Sequence, residues 1–218
     1  MPSGRVLVRS GIVTYMNSHP QQLPSKNIEL IEDLPLTGTD RWYVLLAYTG
    51  QKQASWLSLE SDVWRQGDTP RTISQERLDE IKAVFDELGL FYRLRMREAT
   101  DAGLWQPDKN DQKRTRLHQM CDIFVATTQE KADELSAAVE AGDHKRIGYA
   151  LDYPATAVEA FDIERGPQVD WGKMREEIDE EVMDAAQFIP SKEHYKEEYA
   201  QVKEWLDTLK ANSTIIAI

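Results

Sequence analysis

Residues 74–97, SQERLDEIKAVFDELGLFYRLRMR, place a helix and a strand back to back, and the switch between them decides the fold class. From Ser74 the apolar residues Leu78, Ile81, Phe85 and Leu88 recur at spacings of three and four, which lines one face of an α-helix, and Gly89 offers a left-handed stop. Immediately afterwards the period changes to two. Leu90, Tyr92, Leu94 and Met96 fall on one face of a predicted strand, with Phe91, Arg93, Arg95 and Arg97 on the other. A chain that changes period within one residue is building a mixed fold.

Upstream, Arg5 to Arg9, Ile28 to Ile31, Trp42 to Tyr48 and Ala54 to Leu59 are rich in β-branched and aromatic residues and read as strands, while Asn17 to Lys26, with Pro20 and Pro24, reads as a loop. Downstream, the polar Asp101 to Arg116 is predicted as a loop with a short helix, and the apolar run Met120 to Ala126 as a buried strand. Thr127 and Glu130 have capping-box spacing before a helix carrying Ala132, Leu135 and Val139, which Gly142 ends. Beyond Gly166 the pattern is helical only. Met174, Ile178, Val182, Ala185 and Ile189 form one stripe; Tyr195, Tyr199, Val202, Leu206 and Leu209 form a second. The expectation is an α+β fold: an N-terminal, mainly antiparallel sheet of five or six strands, helices on one face, and a C-terminal helical hairpin. Residues 1–166 would form the core and 167–218 the hairpin packed on it, the two making one structural domain.

Composition removes several function classes. The 218 residues carry 38 acidic against 26 basic side chains, a net charge of -12 that opposes long-range attraction to nucleic acid or anionic lipid. Cys121 is the single cysteine, so no internal disulfide forms, which suits a reducing compartment. No apolar run approaches the roughly 20 residues of a membrane span, and the start lacks a signal-peptide core, so a cytoplasmic location is expected. The glycines are too widely spaced for a dinucleotide or Walker loop. His19, His118, His144 and His194 are scattered with no zinc signature, and no serine sits in a nucleophile elbow. Neither a cofactor nor a metal is predicted.

Against the acidic average, Leu90 to Met120 holds seven basic and four acidic residues. Arg93, Arg95 and Arg97, two apart on a strand, would stand side by side, and guanidinium forks suit phosphate or carboxylate. Lys145 and Arg146, close behind a helix start at Asp143, would add charge. The alternative is that the stripe pairs with carboxylates of the hairpin, whose segment Gln168 to Ile218 carries 12 acidic and 6 basic residues, or lies in solvent. The acidic run from Glu176 to Asp184 reads as the solvated face of an amphipathic helix, and the tryptophans as core and rim packing.

One further stretch, DHKRIGYALDYPATAVEAF from Asp143 to Phe161, is predicted as two short helices meeting at a sharp corner at Pro154. Together with the preceding FVATTQEKADELSAAVEAGD it resembles a prokaryotic family of unknown function whose members carry a strand, a helix and a motif of the form LGYP-x-C-C-x-x-x-F. Leu151, Tyr153, Pro154, Val158, Glu159, Ala160 and Phe161 fit that pattern; Asp152 replaces its glycine, and Thr156 and Ala157 replace its two cysteines. Any thiol or metal chemistry of those cysteines is therefore not open to this chain.

Three functions remain as expectations. The first is a ligand- or partner-binding domain that recognises an anionic group through Arg93, Arg95 and Arg97, with Lys145, Arg146 and Tyr153 contributing and the hairpin serving docking or self-association. The second is a small-molecule enzyme with an anionic substrate, using Asp143, His144 or Asp152 for proton transfer. The third is an interaction protein using its acidic helices.

Overall fold

A computed structural model of the chain describes residues 8–9, 12–13, 23–62, 64–65, 69–100, 116–161 and 169–212. In chain order its elements are β1 (Val8–Arg9), β2 (Ile12–Val13), α1 (Ser25–Glu32), α2 (Gly38–Tyr48), β3 (Ala54–Glu60), β4 (Trp64–Arg65), α3 (Gln75–Leu88) and β5 (Phe91–Thr100). There follow β6 (Arg116–Ala126), α4 (Gln129–Ala141), α5 (His144–Ala150), α6 (Ala155–Ala160), α7 (Trp171–Glu177), α8 (Glu180–Ala185) and α9 (Tyr195–Asn212). The fold is α+β. Among the described residues no helix is long and apolar enough to cross a membrane.

The deciding stretch folds as its pattern predicts. Ser74 caps α3 by accepting from the Arg77 amide, Gly89 ends it at φ 69°, and β5 begins two residues later. The sheet is antiparallel throughout: β6 is its spine, with β5 along one edge and β3 and β4 along the other. β1 and β2 form a separate two-stranded pair. Among the described residues the sheet thus has four strands, fewer than the five or six expected, because two predicted strands are helical. Ile28 to Ile31 lies within α1 and Trp42 to Tyr48 within α2. The second misreading has a clear cause. Tyr43, Val44, Leu45, Leu46 and Ala47 are consecutively buried, so α2 is enclosed on several sides and shows no polar face from which a helical period can be read. Thr37, which accepts from the Asp40 amide, marks its start.

Alternation along the strands separates two apolar clusters. Leu57, Leu59, Cys121, Ile123 and Val125 join the larger one, with residues of α2 and α3 and with Met174, Val182, Tyr199, Val202, Trp205 and Leu206 of the C-terminal helices. On the opposite face Ala54, Phe124 and Ala126 pack with Ala132 and Leu135 of α4 and with Ala150 and Leu151. The cap of α4 is Thr128, one residue beyond the predicted Thr127, whose amide instead donates to the Gln53 carbonyl at 3.0 Å. The C-terminal helices are present, but the first arm of the expected hairpin is broken. Ile178 is extended between α7 and α8, and Ile189 lies past the end of α8.

The corner at Pro154 forms between α5 and α6, and Gly148 sets how closely they approach. A Cβ at this position would lie 2.8 Å from Cγ2 of Val158, a branched side chain anchored at its own helix and unable to swing aside. Gly148→Ala is expected to destabilise the protein by about 1–3 kcal/mol despite the better helix propensity of alanine. Urea denaturation followed by circular dichroism measures this; an unchanged midpoint would show that the corner yields freely.

Candidate functional site

On the sheet face that carries Phe124, the ladder sets residues in rows across β3, β6 and β5. Trp56 lies opposite Phe124 and Arg93, Ser58 opposite Asp122 and Arg95, and Glu60 opposite Met120 and Arg97. Helix α4 reaches as far as the first of these rows, where Arg93 Nε donates to Oδ1 of Asp133 on that helix. The next two rows lie beyond it.

Asp122 is the hub of those rows. It is 0% exposed, yet it sits in the otherwise apolar run Met120 to Ala126 of β6. A buried carboxylate is tolerated only where donors replace its lost water. Here Arg95 donates from Nε and Nη2 to Oδ2 at 3.1 and 2.7 Å. Arg97 donates from Nε to Oδ2 at 3.0 Å, with a longer contact of 3.4 Å from Nη2 to Oδ1, and Trp56 Nε1 donates to Oδ1 at 3.3 Å. Burial pushes the Asp122 carboxyl up, but the arginine and tryptophan donors outweigh it and hold the group below its ordinary range. The Arg95 guanidinium also rides over the Phe124 ring, 5.7 Å from its centroid, and that ring packs against Trp56 at 6.0 Å.

Among the described residues two guanidinium groups therefore share one carboxylate, leaving one positive charge in excess at this point. Their side chains are 33% and 40% exposed, and among the described residues neither Nη1 has a hydrogen-bond partner. Glu60, the nearest acid in the same rows, stands two strands from Arg97, about 10 Å by the strand spacing.

The structure disperses the other predicted residues. Lys145 is engaged by Glu159 at 2.6 Å, and Tyr149 donates to the same carboxylate. Asp143 caps α5 by accepting from the Arg146 amide at 3.1 Å, and the His144 ring packs on Phe161 with centroids 6.2 Å apart. Asp152 accepts from the Gln53 amide, and Tyr153 packs on Phe188 at 5.4 Å. None of these contacts involves Arg93, Arg95 or Arg97. The pairing expected between the stripe and hairpin carboxylates is instead made with β6 and α4.

The sequence reading missed two residues of consequence. Asp122 left a trace, a lone acid inside the run MCDIFVA. Lys52, in the turn between α2 and β3, left none: it is 0% exposed, and Nζ has no hydrogen-bond partner among the described residues. It is surrounded by the rings of Trp205, Tyr153 and Tyr43, with centroids 4.9, 5.0 and 5.4 Å from Nζ.

Fold and site together define an α+β protein with a guanidinium pair locked to a buried carboxylate on a partly covered sheet face. Comparison with family models, curated proteins and solved structures yields no match for this chain.

Proposed function

We propose that the chain is a binding domain that holds an anionic group, a carboxylate or phosphate, on the sheet face with Arg95 and Arg97 as anchors. One observation carries this reading: a single buried carboxylate fixes two partly exposed guanidinium groups side by side and neutralises only one of them. Fixing them in advance lowers the entropy that an arriving anion must offset, and the Nη1 donors, without a hydrogen-bond partner among the described residues, supply its hydrogen bonds. Trp56, held by its own bond to Asp122, borders the same point and gives a planar ligand a ring to lie against.

The test is a thermal-shift series with inorganic phosphate, pyrophosphate, citrate and adenosine monophosphate against the wild type and Arg97→Met. Arg97 is the choice because Arg95 still satisfies Asp122 after its removal. A native-state ligand raises the melting point with concentration. The wild type is expected to respond to at least one of these anions, and Arg97→Met to lose most of that response. No shift with any of them, or an equal shift in the variant, removes the reading.

A further inference from the structure

We propose that Lys52 is a protonation-controlled latch that sets how tightly α9 sits on the core. Three parts of the fold meet at its side chain: Tyr43 comes from α2, Tyr153 from the corner between α5 and α6, and Trp205 from α9. The lysine backbone is pinned, its amide donating to the Leu46 carbonyl at 3.1 Å, so the amine cannot leave the cage by a simple shift of the turn. With Nζ fully buried and no hydrogen-bond acceptor among the described residues, a charged ammonium has ring faces in place of water. When α9 lifts, Trp205 leaves and the amine is hydrated again. Docking and deprotonation of Lys52 are therefore coupled.

The charged and titratable groups around the cage set the direction. Burial pushes the Lys52 amine down to about 7, against the opposing pull of the Asp152 carboxylate. The Asp152 carboxyl is itself pushed up by burial, opposed by the Gln53 amide, by Lys52 and by Lys131 of α4. The Tyr43 and Tyr153 phenols are raised by burial and stay neutral; Tyr153 and Asp40 of α2 add to the rise at Tyr43. From α9 itself comes Glu198, 2% exposed, which accepts from Thr156 Oγ1 at 2.6 Å and from the Ser191 amide at 2.7 Å. Gln201 adds a bond to the Asp152 carbonyl at 2.8 Å. The neutral-to-alkaline range belongs to Lys52.

The backbone supports a role for Asp152 in the same device. It is the one non-glycine with positive φ, 56°, among the described residues, at the position where the resembling motif has glycine. An aspartate there costs backbone energy that glycine would not, and in return it places a carboxylate beside the cage.

Lys52 has a lowered affinity for protons only while α9 is docked. Docking therefore strengthens as pH rises above about 7, up to tenfold in its equilibrium constant per pH unit, until the undocked amine also loses its proton near 10.5; below about 7 it levels off. Hydrogen–deuterium exchange of the full chain at pH 6 to 9.5, corrected for intrinsic exchange rates, reads this directly. Amides of α9 are expected to gain protection with pH in the wild type while staying below the protection of Ile123 to Val125 in β6, because α9 opens without global unfolding. In Lys52→Met they should stay at a constant, high protection. Asp152→Asn removes the charge that favours the ammonium, so its onset is expected at lower pH than in the wild type. Flat wild-type protection would overturn the latch by showing that the rings hold the ammonium without penalty. An unchanged slope in Lys52→Met, or α9 amides as strongly protected as those of β6 at every pH, would overturn it as well.

Discussion

Asp122→Ala is expected to destabilise the protein by about 2–4 kcal/mol at neutral pH, which makes it the most damaging single change we foresee. The cost has two parts. Removing the carboxylate leaves Arg95, Arg97 and the Trp56 indole without their acceptor, and it leaves the two guanidinium groups to repel each other across adjacent positions of one strand face. The figure lies at the low end for a broken buried pair because both arginines keep partial access to water, 33% and 40% by side chain. Asp122→Asn, which still accepts from Trp56, should lose roughly half as much.

The pH dependence has a definite sign. The folded-state carboxyl sits below its ordinary value of 3.8, so its contribution is fully present above that pH and lost as pH falls through the lower folded value. The gap between wild type and Asp122→Asn in urea denaturation should therefore be full at pH 7 and narrow below about pH 4. A Asp122→Ala variant within about 1 kcal/mol of wild type at neutral pH would mean that water replaces the carboxylate, as it does for exposed ion pairs. The same variant probes the binding proposal. It raises the local positive charge while freeing both arginines, so weaker anion binding would show that fixed geometry outweighs net charge.

What the sequence disclosed depended on whether an element has one wet face. α3 and β5 each do, and their periods of about 3.6 and 2 are visible because polar residues mark the outside. α2 does not, and its run of buried residues carries no information about period. α7 and α8 show a different limit. The apolar stripe continues through Ile178, yet the backbone there is extended, because the stripe records which side chains are buried and not whether one helix carries them all.

The candidate site divides in the same way. Arginines two apart on a strand share a face by geometry alone, so that placement was readable. Their partner required the pairing of β5 with β6 in the register that sets Arg95 opposite Asp122, a contact between residues 27 apart in sequence. The Lys52 cage draws on residues from Tyr43 to Trp205, and no local pattern encodes such a meeting.

Replacing Lys52 with methionine is expected to stabilise the protein at pH 7, the reverse of what removing a charged residue from an ion pair does. The thermodynamic reason is that folding holds the amine in a place where its ordinary charge is unwelcome. Its proton affinity falls from an ordinary value of 10.5 to about 7. At 1.36 kcal/mol per unit this is an unfavourable contribution of up to about 4–5 kcal/mol at neutral pH. Three ring faces offset part of it, each by about 0.5–1 kcal/mol or more, so a net gain of about 1–3 kcal/mol is expected for Lys52→Met, a linear side chain of similar reach. In a chain of this length that is a rise of roughly 2–12 °C in melting temperature. For a basic group with a lowered folded value the penalty is fully present below about 7 and disappears as pH approaches 10.5, where the unfolded amine is also neutral. Wild-type stability should therefore climb between pH 7 and 10 while that of the variant should not, and the two should converge at the alkaline end. Calorimetric melting curves at pH 7, 8, 9 and 10 make the comparison. A variant less stable than wild type at pH 7 would reverse the conclusion: the three rings would then be a true ammonium site, and Lys52 a cation that the fold prefers to keep charged.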